Sequence, residues 1–329
     1  MGAAAPILPR LDHDAVLIVG EGNAARRCSH ALVEQGGGKI RLAGVVSPGD
    51  LAAWYAPKAD ETNGARPGIH RPPRRIVLAL DDRRGALPVD ELVRLRFQGI
   101  DVVDEQQFLQ ELTHKIPVTT IRPSDLVFSE GFKLNNAKLA AKVCVDWCLG
   151  ALLLVLSLPL IALAGLVIAI EDGFPIFYRQ ERVGRGGRPF RIFKLRTMRQ
   201  DAEQDGPQFA SEDDPRITRI GRFLRRARLD ELPQLINVFR GEMAIVGPRP
   251  ERPVFVNQFE SLSPYFALRH SVRPGITGWA QVMYGYASGS DEALEKLSYD
   301  LYYIKHFSLR QDVEILLRTV SVVLWGKGR

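Results

Sequence analysis

The chain has 329 residues, of which 46% are hydrophobic, 25% charged and 8% aromatic; this balance excludes a disordered or low-complexity polypeptide and allows about two domains. Its 44 Lys and Arg against 38 Asp and Glu leave a formal charge of +6, which points to acidic partners such as phosphates, nucleotides or an anionic membrane face without choosing among them. Three cysteines, Cys28, Cys144 and Cys148, are too few and too unevenly spaced for a disulfide scaffold or a zinc ribbon, and they fit a reducing compartment.

The opening residues show no apolar run behind a basic front, so no secretory signal is expected and the first strand is expected to start in the cytosol. Residues 15–20 read as a buried strand, 23–35 as a helix, and 41–47 as the next strand. A strand over 74–80, a helix over 88–97 and a strand over 100–104 continue the alternation. This predicts an α/β, Rossmann-like N-terminal domain whose mostly parallel sheet is covered on both faces. The turn after the first strand, Gly20-Glu21-Gly22-Asn23-Ala24-Ala25, would let a pyrophosphate approach a helix N-terminus. The acid expected on a ribose is missing, because Val45-Val46-Ser47-Pro48 stands at the end of the second strand. A structural or regulatory role for the domain is therefore favoured over dinucleotide binding. Residues 52–75 read as a loop and 119–133 as a linker.

From Trp147 to Ile170 no residue is charged, and as a helix this segment would reach about 36 Å, against about 30 Å for a hydrocarbon core. Pro159, two residues after Ser157, predicts a bend. Lys133, Lys138 and Lys142 precede the segment, and Arg179, Arg182, Arg185, Arg188 and Arg191 follow it. Basic flanks favour the cytoplasmic side, so the segment is expected to enter and return as a re-entrant helical hairpin. A kinked through-span and a buried helix of a soluble protein are the alternatives. Cys144 and Cys148, at i and i+4 just before the segment, read as small packing residues.

Residues 179–199 carry eight basic side chains and one acid, Glu181. Arg216, Arg219, Arg222, Arg225, Arg226 and Arg228 then recur at helical spacing, opposite Ile217, Ile220, Phe223 and Leu224. That helix reads as a membrane-surface anchor or as part of an active site. Nucleic acid is a poor partner for it, since the basic region adjoins a bilayer-length segment and has no nucleic-acid-binding motif. Pro233 belongs in a first helical turn, which places Asp230 and Glu231 at or just before a helix N-terminus. The pair could simply cap the helix. Alternatively, facing a basic surface, one carboxylate could act as nucleophile and the other hold a divalent metal, as phosphoryl transfer requires. Gly247-Pro248-Arg249-Pro250 holds an arginine on a stiff backbone, as a phosphate clamp or as an ordinary loop.

Taken in order, KLRTM (194–198), LDELPQLINVFRGEMAIVGPRPE (229–251), RPGITGWAQV (273–282) and YDLYYIKHFSLRQDVEIL (299–316) resemble the bacterial sugar transferase family, the membrane phosphoglycosyl transferases that begin exopolysaccharide and O-antigen synthesis. The resemblance covers residues 132–329. It implies transfer of a sugar 1-phosphate from a UDP-sugar, UDP-glucose or UDP-galactose by family habit, to polyprenyl phosphate with Mg²⁺. It also implies a mainly helical, membrane-associated catalytic domain on the cytoplasmic face of the bacterial inner membrane. Asp230 would be the nucleophile that carries a phosphosugar as UMP leaves, and Glu231 the Mg²⁺ partner. Lys194, Arg196, Arg225 and Arg249 would contact phosphates or nucleotide. The expected division is 1–130 for the Rossmann-like domain and linker, 131–175 for the membrane segment and 176–329 for catalysis, with homodimerisation expected from the large members.

The sequence departs from the family in two respects. Large members with a Rossmann-like domain usually carry several transmembrane helices ahead of it, and Arg228 stands where a small or hydroxylated residue is common. In the tail, Val313, Leu316, Leu317, Val320, Val323 and Leu324 recur at helical spacing, with Trp325, Lys327 and Arg329 suited to an interface; core packing explains the pattern as well. Tyr299, Tyr302 and Tyr303 read as packing residues. A nucleotide-sugar oxidoreductase or dehydratase using the glycine-rich turn and a non-enzymatic membrane scaffold for polysaccharide assembly are the competing functions.

Overall fold

A computed structural model describes residues 15–36, 40–55, 73–82, 87–121, 123–129, 131–132, 135–204, 206, 214–284 and 290–325. The chain divides into two compact units, 1–117 and 118–329.

In the first unit, β1 (Ala15–Val19), β2 (Arg41–Val46), β3 (Arg75–Leu78) and β4 (Asp101–Asp104) form a parallel sheet in the order β2-β1-β3-β4. Side chains alternate across a strand, so β1 serves two cores. Val16 and Ile18 pack with Cys28 and Leu32 of α1 (Gly22–Gln35) and with Phe108 and Leu112 of α4 (Glu105–Thr113). Leu17 and Val19 pack on the other face with Leu51 of α2 (Leu51–Tyr55) and Leu95 of α3 (Val89–Phe97). A parallel sheet buried on both faces is thus present as expected. Of the stretch read as a loop, residues 52–55 belong to helix α2 and 56–72 lie outside the described residues.

In the second unit, α5 (Pro123–Phe128) interrupts the expected linker. The apolar segment forms part of α6 (Asn136–Asp172), a single helix of 37 residues, or about 55 Å, that runs through Pro159. Two helices separated by a turn are not seen. Pro159 leaves the carbonyl one turn back without its helical donor, and close by Ser157 Oγ donates to the Leu154 carbonyl at 3.0 Å. One face of α6 is buried, through Ile161, Ala164 and Ile168 against Leu195 and Leu224. The other face leaves Val155, Leu156, Leu163 and Ile170 at least 60% exposed, a surface that water does not accommodate and lipid does. Cys144 and Cys148 are exposed on this helix; they do not pack into a core, because their shared face turns away from the unit.

Both ends of α6 are tied to the same unit. Near its start, Lys142 Nζ lies 2.8 Å from Asp312 Oδ2, and Asp146 Oδ1 accepts from the Ile245 amide. Trp147 stacks on Phe239 at 5.4 Å. At its end, Glu171 accepts from the Arg219 and Ile220 amides, capping α7 (Arg219–Arg226).

An antiparallel hairpin of β5 (Phe177–Val183) and β6 (Pro189–Leu195) follows α6. After α7 come a 3₁₀ turn, Leu229–Gln234, then α8 (Leu235–Phe239) and β7 (Ala244–Val246). The remainder is α9 (Pro253–Leu262), β8 (Gly275–Thr277, parallel to β7), α10 (Trp279–Met283), α11 (Ser290–Lys305) and α12 (Leu309–Trp325). Ile217 and Leu224 of the supposed surface stripe are buried, Leu224 in the core with α6, so α7 packs by most of its apolar face and leaves Phe223 exposed. On α12, Val313, Leu317 and Val320 form an exposed apolar stripe while Ile315 is buried. Lys327 and Arg329, and the side chains of Val323, Leu324 and Trp325, lie outside the described residues. Tyr299, Tyr302 and Tyr303 are packing residues; the Tyr303 hydroxyl donates to Asp312 Oδ1 at 2.8 Å.

Candidate active site

The acid pair is presented by a sharp reversal of the chain. Arg228 adopts a left-handed backbone, φ 57°, which ends the path of α7 and starts the Leu229–Gln234 turn. Pro233 fits inside this short turn and leads into α8, so Asp230 and Glu231 occupy its first residues, close to the predicted placement. Both side chains are buried, at 6% and 7% exposure.

Neighbouring helical residues point in different directions, and the two acids do have different surroundings. Glu231 Oε1 lies 2.5 Å from Arg249 Nη2 and 3.3 Å from Lys194 Nζ. Burial would raise its pKa, but the charges of Arg249 and Lys194 and the Arg249 hydrogen bond prevail and hold it well below the ordinary carboxylate range. Lys194 moves the other way: burial lowers its pKa while Glu231 opposes the shift. Asp230 makes no hydrogen bond or ion pair among the described residues. Burial, and then the Glu231 charge, push it up to about 6, with Lys194, Arg225 and Arg249 pulling it down.

Five of the six expected residues therefore act on one another. Lys194 is the penultimate residue of β6, Arg249 follows β7, and the 3₁₀ turn supplies the acids between them. Arg225 sends its Nε to Thr197 Oγ1 at 2.8 Å and reaches Asp230 through its charge. Arg196 is placed elsewhere: β6 stops at Leu195, and the guanidinium turns to the C-terminus of α6, donating to the carbonyls of Asp172 and Gly173 at 2.8 and 2.7 Å. A cation there satisfies orphan carbonyls and favours the helix dipole. The sequence reading missed Asn237, which ties α8 to β6 by accepting from the Phe193 amide and donating to the Arg191 carbonyl, and it missed the Lys142, Asp146, Asp312 cluster; each is a polar residue inside an apolar stretch or far along the chain.

The glycine-rich turn of the first unit has its own occupant. The Asn23 and Ala24 amides, which would meet a pyrophosphate, donate to Asp81 Oδ2 and Oδ1 at 2.8 and 3.0 Å. Gly22, at φ 79°, leaves room for that carboxylate, which a Cβ would strike.

The second unit thus combines a helix long and apolar enough to cross a membrane with a buried acid pair whose neighbours are cations. The chain belongs to the bacterial sugar transferase family, whose profile matches residues 137–326. It is 40% identical over 238 residues to the UDP-N-acetylgalactosamine-undecaprenyl-phosphate N-acetylgalactosaminephosphotransferase of Aeromonas hydrophila, an alignment that takes in 72% of this chain and 55% of the relative. Similarity to UDP-glucose:undecaprenyl-phosphate glucose-1-phosphate transferases extends from Caulobacter vibrioides (44% over 188 residues; 56% of this chain, 69% of the relative) to Escherichia coli (39% over 190 residues; 57% and 41%). The chain thus spans about half the length of the Aeromonas relative.

Proposed function

We propose that the protein transfers a sugar 1-phosphate from a UDP-sugar to polyprenyl phosphate at the cytoplasmic face of a bacterial inner membrane, starting a polysaccharide and releasing UMP. The observation that carries this reading is the division of labour in the acid pair: Glu231 is held charged by Arg249 and Lys194, while buried Asp230 has no partner. A carboxylate without a hydrogen-bond partner is the better nucleophile.

In the proposed first step an Asp230 oxygen attacks the β-phosphorus of the UDP-sugar. The bond from that phosphorus to the bridging oxygen breaks, and UMP leaves with the electron pair. In the second step a phosphate oxygen of the lipid attacks the same phosphorus, the acyl-phosphate bond breaks, and Asp230 regains its carboxylate as the lipid diphosphosugar departs. Lys194 and Arg249 bind and orient the diphosphate, whose charge they match. The donor set suits Mg²⁺, which takes one or two carboxylates together with substrate phosphates and water, so no cluster of three protein ligands is needed. Glu231 would hold it, and once bound it supplies positive charge to the leaving phosphate. The relatives' names supply UDP-N-acetylgalactosamine and UDP-glucose as donors to test, and the family resemblance adds UDP-galactose.

Re-entrant insertion is part of the proposal. Its support is that Lys142 and Glu171, at opposite ends of α6, both bind elements of residues 118–329, which a straight crossing would put on two sides of a bilayer. Incubating the full chain in nanodiscs with Mg²⁺, polyprenyl phosphate and a panel of UDP-sugars tests the reaction. UMP formed by wild type and not by Asp230→Asn supports it; release of UDP instead would mean ordinary glycosyl transfer and overturn it.

A further inference from the structure

Arg249 can orient a diphosphate only if its backbone is held, and four successive carbonyls around it are each taken by a donor from another element. Pro248 O accepts from the Gly275 amide of β8, and Glu251 O from the Val183 amide of β5, both at 2.9 Å. Between them the acceptors are met by guanidinium groups: Arg182 Nη1 donates to Pro250 O at 3.0 Å, and Arg269 Nη2 to Arg249 O at 2.9 Å. Arg269 is 6% exposed, and the same Nη2 lies 2.7 Å from Asp300 Oδ2, whose side chain is 1% exposed. Its guanidinium also rests over the Phe266 ring at 4.9 Å.

A buried ion pair seldom adds net stability, since desolvation offsets most of the attraction, so stability alone does not account for this one. We infer that Arg269 and Asp300 form a positioning pair that sets Arg249 against Glu231, and through it the diphosphate of the donor. This rests on the reading of Arg249 as a phosphate clamp. Asp300 on α11 fixes the guanidinium, the guanidinium fixes the Arg249 carbonyl, and the flanking prolines pass that constraint to the Arg249 side chain because their φ angles are locked. Neither Arg269 nor Asp300 contacts the acid pair itself.

The test uses the full chain in nanodiscs and the apolar exchange Arg269→Met/Asp300→Leu, which removes both charges together and leaves neither stranded. Asp300→Asn serves as a second variant. Amide hydrogen exchange over residues 247–252 is expected to quicken in the double variant while exchange in β6 is unchanged. The kcat/KM for UMP release is expected to fall about 10- to 100-fold, the scale of a small misplacement of a reacting group. In an Arg249→Ala background the same exchange should change kcat/KM less than about twofold, because coupled residues are not additive. Unchanged exchange over 247–252, or a loss as large without Arg249 as with it, would overturn the inference. If wild type forms no UMP from any donor, the catalytic reading fails, and the hydrogen-exchange comparison still decides whether the pair positions Arg249.

Discussion

Each unit of this chain gathers positive charge where an anion could sit, and each sets a carboxylate of its own there; what separates them is the charge left over. In the first unit the N-terminus of α1 presents its free amides and a dipole of about half a unit charge, and Asp81 answers both. In the second, Glu231 meets Lys194 and Arg249 directly, with Arg225 acting on the adjacent Asp230 through its charge. A site matched by its own carboxylate is complete as folded. One in which Lys194, Arg225 and Arg249 surround an acid with no hydrogen-bond partner among the described residues is where the proposed function seats a polyanion from outside. The glycine-rich turn that suggests a dinucleotide in the sequence has its two leading amides taken by Asp81.

The comparison breaks most sharply at Asp230. Asp230→Asn should lower UMP release by at least about a thousandfold, since the nucleophile is gone. It should also raise the melting temperature at neutral pH by a few degrees. The sign follows from linkage: the folded pKa, about 6, lies above the unfolded value of 3.8, so the stability that Asp230 contributes when protonated is lost as pH rises through about 6. A melting curve together with a UMP assay checks both. Next in size, Arg249→Ala should reduce kcat/KM about 100-fold and raise the folded pKa of Glu231, read by NMR of the labelled carboxylate, because its main counter-charge is removed. Acidification should act through Asp230 itself, with transfer falling about tenfold per pH unit below about 6 in a pH–rate profile. Smallest for catalysis is Asp81→Ala: the first unit should lose about 1 kcal/mol in denaturant melts, as for a lost helix cap, while UMP release changes less than about twofold.

How much was legible in the sequence follows the range of each interaction. The N-terminal strands and helices could be read because β1 carries an uninterrupted apolar run and the helices have their own periodicity. The acid pair, Lys194 and Arg249 were legible because Pro233, the 247–250 proline frame and the ordered motifs restrict their backbones. Arg196 could not be separated from Lys194 two residues earlier, since the end of β6 at Leu195 decides which way it turns and no side chain announces that end. Asp81 filling the α1 N-terminus lies 57 residues from Ala24, and Arg269 acts on a carbonyl, a group every residue owns. Pro159 predicts a bend, and the backbone stays helical through it, because one missing hydrogen bond is a small loss for a helix whose next turns pack Ile161, Ala164 and Ile168 against the unit.

The central claim is that Asp230 carries the phosphosugar. Intact-protein mass spectrometry of the nanodisc-held chain, incubated with Mg²⁺ and UDP-sugar but no polyprenyl phosphate, tests it most directly. The account predicts a sugar-phosphate adduct that maps to Asp230, disappears when polyprenyl phosphate is added and never forms on Asp230→Asn. UMP release and lipid product formed with no adduct under any of these conditions, or an adduct retained by Asp230→Asn, would contradict it.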